Sequence, residues 1–214
     1  MRLTLARAGL TSPPGPLPCY LEGSSRILDK VSAVVRLERI RIEFDAEQDR
    51  LLMRILIDGS AEVKLWLTRR CVQRLWTALM KMAEIKPDIQ RQANPEARNA
   101  ILHFEHEKAL REVKFARPGE DAPRFAAPRS QPLGPAPLLV TRIQARRLPD
   151  GRTQIGFLPN EGDGAHLTLS ENLLHGVMRL VQQAVEKADW SLPLNLPAAS
   201  LLTPADEGTA RTLN

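Results

Sequence analysis

Four clusters of side chains in this chain have types and spacings that could do chemistry. His103 and His106, in the run HFEHE, lie three apart, so on a helix both imidazoles face one side and could share a metal ion. A metal needs a third and usually a fourth ligand, and Glu107, His166 or His175 could add one only if the fold brought it close. HFEHE is also not HExxH, so the helical zinc-protease arrangement is absent. The expectation is two histidines at a helix surface or border, with no metal bound. Gly162-Asp163-Gly164, in NEGDGA, could cradle a cation or a phosphate, but its place between two strand-like runs reads as a hairpin loop. Glu43 and Asp45 form a carboxylate pair in a charged turn, where solvation accounts for them.

The fourth cluster is Lys64 and Trp66, two apart and therefore on one face of a strand. Hairpin pairing would set Arg54 and either Arg39 or Arg41 beside them, giving an aromatic plate ringed by cations. Single-stranded DNA or RNA is bound by that combination, bases stacking on rings while cations track phosphates. Glu38, Glu43 and Glu62 dilute the ring, and aromatic residues are just 4% of the chain. The favoured expectation is instead a non-catalytic accessory, assembly or regulatory protein that binds another protein or a second copy of itself, with this face as the candidate surface. Nucleic-acid binding is the alternative. No GxSxG, GxxxxGK[ST] or strand-following GxGxxG is present, so no enzyme activity and no cofactor are expected.

The elements that must position these residues follow from periodicity. Residues 34–44 are β-rich, with Ile40, Ile42 and Phe44 on one parity and Val35 and Leu37 on the other, so a bulge is expected near Glu38. Residues 51–57 and 62–67 alternate as two further strands. Thr68 is placed to cap a helix over 69–85, which Pro87 ends. Residues 138–144, 153–158 and 165–169 repeat the three strands, and Ser170 stands before a helix over 171–190. At a constant offset of 102, Met53 meets Ile155, Leu65 meets Leu167, Thr68 meets Ser170 and Leu79 meets Val181. The fold class expected is α+β: two related β-β-β-α units, each an antiparallel sheet with a helix on one face, joined by an extra helix and a Pro-rich linker. That extra helix begins at Asn94-Pro95-Glu96 and turns Ala97, Ile101, Leu102, Phe104, Ala109 and Val113 inward.

Length and composition agree with a folded protein. The 214 residues are 43% hydrophobic and 26% charged, near globular averages. Residues 1–30 read as a Pro-rich N-terminal arm, 31–116 as the first unit with its connector helix, 117–137 as a linker, 138–192 as the second unit and 193–214 as a tail. The linker carries six prolines and two glycines in 21 residues. The net charge of +5 is arginine-rich in a way that a GC-rich coding sequence would also produce. Cys19 and Cys71 give no disulfide framework and suit a reducing cytoplasm; no signal peptide and no membrane span are expected.

Overall fold

Strands alternate their side chains between two faces, and the alternating segments of this sequence fold into one curved sheet. The computed structural model describes residues 2–6, 35–57, 61–115 and 130–197, with 2–6 and 35–36 described by backbone alone. In chain order the strands are β1 (Arg2–Ala6), β2 (Val35–Asp45), β3 (Arg50–Ile57), β4 (Ala61–Leu67), β5 (Leu138–Val140), β6 (Arg142–Arg147), β7 (Thr153–Leu158) and β8 (Gly164–Leu169). The helices are α1 (Arg69–Glu84), α2 (Pro87–Gln90), α3 (Pro95–Glu112) and α4 (Glu171–Lys187). The strand order is β5-β4-β3-β2-β1-β8-β7-β6. β1 joins the two meanders, pairing with β8 along its length and with β2 only at Arg2–Arg36 and Leu3–Val35.

Two β-β-β-α runs are present, β2-β3-β4-α1 and β6-β7-β8-α4. In β3–β4, Met53 pairs with Leu65 and Ile55 with Val63; in β7–β8, Ile155 pairs with Leu167 and Phe157 with Ala165. The extra residue in β2 falls where the parity slips, between Leu37 and Arg39. The helices cross over: α1 lies alongside β6, α4 alongside β2, and the two helices touch each other. Trp190, just beyond α4, clamps this exchange, because its ring meets Phe44 edge to face at 5.9 Å and its Nε1–H donates to Asp49 Oδ1 at 2.7 Å. One apolar core therefore includes Leu51, Met53 and Leu65 from one meander, Ile155, Phe157 and Leu167 from the other, and both long helices.

Several expectations change on contact with the structure. The expected strand over 138–144 is split at Thr141. Its first part, β5, pairs in parallel with β4 and its second, β6, pairs antiparallel with β7, so consecutive residues reach opposite ends of the strand order. The Thr141 N–H donates to Leu158 O and begins the second pairing. Both helix starts have an extended capping residue, but only Thr68 bonds through its side chain, accepting from Cys71 N at 3.3 Å. Ser170 makes no side-chain capping bond. Pro87 ends α1 as expected and also opens α2, an added turn of helix. On α3 the buried residues are Leu102, His106 and Ala109, while Phe104, expected inside, is 66% exposed. Beyond α4, Leu192 and Leu196 pack against the core and Leu194 is buried, with its carbonyl accepting from Gln182.

Leu65 and Leu167 occupy matching places in the two hairpins and both are fully buried. Because one core spans both meanders, Leu65→Ala and Leu167→Ala should each cost about 2–5 kcal/mol, and urea unfolding should remain a single transition. A second transition in either variant would show that the halves unfold separately.

Candidate functional site

The register of β2, β3 and β4 decides which of the expected site residues meet. Arg41 pairs with Arg54 and Arg54 with Lys64, so these three cations form one row across the sheet. The next row is Glu43, Leu52, Trp66 and then Leu139 of β5. The row on the other side is Arg39, Leu56 and Glu62. All lie on the face opposite the core rows Ile40–Ile55–Val63 and Ile42–Met53–Leu65. The structure thus brings Arg41, Arg54 and Lys64 into line with Trp66 beside them, and sets Arg39 one row away.

Electrostatics within this face are largely internal. Glu62 is 4% exposed although it belongs to the outer row. Arg54 Nε donates to its Oε1 at 2.5 Å, and Lys64 Nζ stands 4.0 Å from its Oε2. Arg54 and Lys64 are themselves only 20% and 23% exposed. A carboxylate removed from water is tolerated only with partners, so these two cations serve Glu62 first. Arg41 likewise pairs with Glu43. Leu56, between Arg39 and Glu62, is fully buried. To solvent this face presents Arg41 and Glu43, 33% and 42% exposed, together with Leu139 at 40% and the half-buried Leu52 and Trp66.

A groove of about 1190 Å³ runs beside this face. Its floor is residues 37–43 of β2, which include Arg39 and Arg41, and its walls come from α4 and the end of α3, including Val177, Leu180, Val113 and Phe115. Among the described residues β2 has a strand on its second side only at residues 35–36, so its backbone edge borders the groove. Gly176 lets the chain after α3 approach α4 closely, since a Cβ there would sit 3.2 Å from Val113 Cγ1.

The histidines lie on the other side of α4. His106 is buried, not at a helix border, and meets His175 of α4 with Nδ1 facing Nδ1 at 3.1 Å. Burial lowers the proton affinity of both rings; for His175 it is the largest cause, the neighbouring His106 the next, and the value falls to about 4. His103 turns away, its Nε2 donating to Pro197 O at 2.6 Å. Lys86 bridges Glu105 at 2.6 Å and Glu171 at 2.5 Å, and its pairing with Glu105 holds that carboxyl below its ordinary range. Among the described residues no three of His, Cys, Asp and Glu converge where a metal ion could be held. Asp163 and its glycines form the β7–β8 turn, with Gly162 at φ +88°. Cys71 is buried in α1, where desolvation raises its thiol to about 11; Cys19 and the Pro13–Pro18 run lie outside the described residues. No described helix is long and apolar enough to cross a membrane.

Sequence reasoning placed Arg54 and Lys64 near either Arg39 or Arg41 but did not show the burial of Glu62, which sits two residues from Lys64 on β4 and diagonally across from Arg54. It also missed the His106–His175 pair, for which the sequence carries no local signal. No protein-family model, curated protein or solved structure matches the chain.

The two cations around Glu62 are unequal, which gives a direct test. Arg54→Met should destabilise the fold by about 3 kcal/mol, because it strips a buried carboxylate of its close partner. Lys64→Met, at the longer distance, should cost less than about 1 kcal/mol. Equal losses in chemical denaturation would mean that Lys64 holds Glu62 as tightly as Arg54 does.

Proposed function

We propose that this is a non-catalytic, cytoplasmic, protein-binding accessory, assembly or regulatory protein, built from a duplicated sheet–helix unit. The observation that carries the reading is the apolar row Leu52–Trp66–Leu139, which runs to a sheet edge and lies beside cations already engaged by carboxylates. A protein partner gains free energy by covering such a row, and charged pairs at its rim set orientation more than strength. The short β5 strand leaves backbone groups at the edge that a partner's extended segment can pair with. Support for duplication comes from the matched registers of β3–β4 and β7–β8 and from the reciprocal placement of α1 beside β6 and α4 beside β2. Thr168, the counterpart of Trp66, pairs with Gln154 and is buried, so the two units have diverged on their outer faces.

The alternative is a single-stranded DNA or RNA module using Arg39, Arg41, Arg54, Lys64 and Trp66. It is favoured by the alignment of Arg41, Arg54 and Lys64 and weakened by their bonds to Glu43 and Glu62.

The two classes separate on salt. A photo-crosslinking residue in place of Leu139 should trap a protein or a second copy of the chain, with a yield little changed between low and moderate salt. Trp66→Glu should lower that yield at least tenfold while circular dichroism stays unchanged. Oligonucleotide binding that weakens steeply with salt and with Trp66→Ala would instead establish the nucleic-acid module.

A further inference from the structure

Helix α3 is held to α4 by a contact whose centre is polar. His106 and His175 are 5% and 2% exposed, and their rings meet edge to face with centroids 5.2 Å apart. A hydrogen bond between the two Nδ1 atoms needs one proton between them. One ring donates Nδ1–H; the other accepts with its Nδ1 lone pair and carries its own proton on Nε2. A first added proton can settle on Nε2 of the donor ring, leaving the bond in place at the cost of a buried charge. A second has only the accepting Nδ1 to bind, and two N–H groups would then oppose each other at 3.1 Å. We propose that this pair is an acid-sensitive latch, whose protonation releases α3 from α4 and opens the groove beside β2 while the sheet and α1 stay folded.

The surroundings favour neutral rings. From α3 the charged and titratable groups near the pair are His103, Glu105 and Glu107; from α4 they are Glu171 and Arg179; from the α1–α2 connection it is Lys86. Lys86 occupies both Glu105 and Glu171, so neither carboxylate is left to compensate an imidazolium fully. Glu107 favours the charged form of His106, whereas His103 and Arg179 oppose it, and burial outweighs all three. Other ties of α3 include Asn172 Nδ2 donating to Glu112 at 2.5 Å, Lys86 to Glu105, and His103 to Pro197 O. Glu105 is held below the ordinary carboxyl range, chiefly by its bond to Lys86.

The direction follows from linkage. Docked histidines bind protons more weakly than free imidazole at about 6.5, so docking is at full strength above that pH and weakens as pH falls toward 4. For His175 at about 4, docking at pH 4.5 should be weakened roughly 70-fold relative to pH 7.5. The apolar residues uncovered would include Leu102 and Ala109, and Val113 and Phe115 would leave the groove wall.

The test is hydrogen exchange on the full chain at pH 7.5 and pH 5, each amide referred to its intrinsic rate at that pH. Protection in residues 98–113 should fall at least tenfold at pH 5, while β3, β7 and α1 keep theirs. The doubly substituted His106→Leu/His175→Leu protein should keep α3 protected at both values, since both partners are replaced by apolar groups. Should that variant fail to fold, the histidine side-chain nitrogen resonances of the wild type decide the matter. One Nδ1-protonated and one Nε2-protonated neutral ring at pH 6, both titrating below 6, support the latch. Unchanged protection of α3, parallel loss across the sheet, loss of protection in the double variant, or rings titrating near 6.5 would each overturn it.

Discussion

Everything in this fold follows from the need to cover one apolar sheet face. The rows Ile40–Ile55–Val63, Ile42–Met53–Leu65 and Phe44–Leu51–Leu67–Val140 in one meander, and Ile143–Phe157–Ala165 and Ala145–Ile155–Leu167 in the other, all point to the same side. Left to water, such a surface would be unstable by tens of kcal/mol at about 25 cal/mol per Å². α1 and α4 are the long helices with apolar stripes broad enough to cover it, and each also leans on the first strand of the other run. Neither run closes its own core. The two halves are therefore tied together by α1 on β6, α4 on β2 and the α1–α4 contact, with β1 and Trp190 as further links.

That constraint decides where polar groups can go. With the inner face and the helix stripes committed to the core, α3 rests chiefly on the flank of α4 and also touches α2, and its own apolar residues are too scattered to form a stripe. It docks by Leu102 and Ala109 with His106 between them, one helical turn apart on a single face. A histidine in that place has to be satisfied, and His175 is what α4 presents there. On the sheet's outer side the same logic gives Glu62 its two cations: a buried carboxylate must be paired, and the neighbouring strand β3 supplies Arg54 while β4 itself supplies Lys64.

The local elements were legible in the sequence and their long-range partners were not. Period-two alternation located β3, β4, β7 and β8 within a residue or so, the parity slip at Glu38 marked a real bulge, and Thr68 and Asn94-Pro95 marked real helix starts. The run LLVTRIQ gave no sign of its break at Thr141, because parallel and antiparallel partners impose the same alternation on a strand. Phe104 and His106 were placed on the wrong sides of α3 for a related reason. Phe104 stands about 200° around the helix from both Leu102 and His106, so it cannot share their buried face, and taking every apolar residue as inward hid that conflict. At the candidate site, spacing grouped Arg54 and Lys64 with either Arg39 or Arg41, and the register of β2 puts Arg41 in their row because the bulge and turn positions fix the pairing. Spacing could not reveal that Glu62 is shut away from solvent, because that depends on how the chain outside the hairpin is arranged.

The burial of Glu62 weighs against anion binding on the outer face and in favour of the protein-binding reading proposed above. A phosphate approaching Arg54 would have to compete with a carboxylate that cannot recover its hydration without disrupting the strand. The cost of freeing that carboxylate would fall on every phosphate contact made there, whereas an apolar segment covering Leu52, Trp66 and Leu139 leaves the ion cluster intact. Such a segment would also shield the Arg54–Glu62 pair further from water, strengthening its Coulombic attraction as the local dielectric falls. Apolar docking and the existing salt bridge therefore reinforce each other, and phosphate binding and that salt bridge oppose each other. On the proposed reading, the row of cations that invites a nucleic-acid reading in the sequence would instead border an apolar contact, with most of its charge already matched by Glu43 and Glu62.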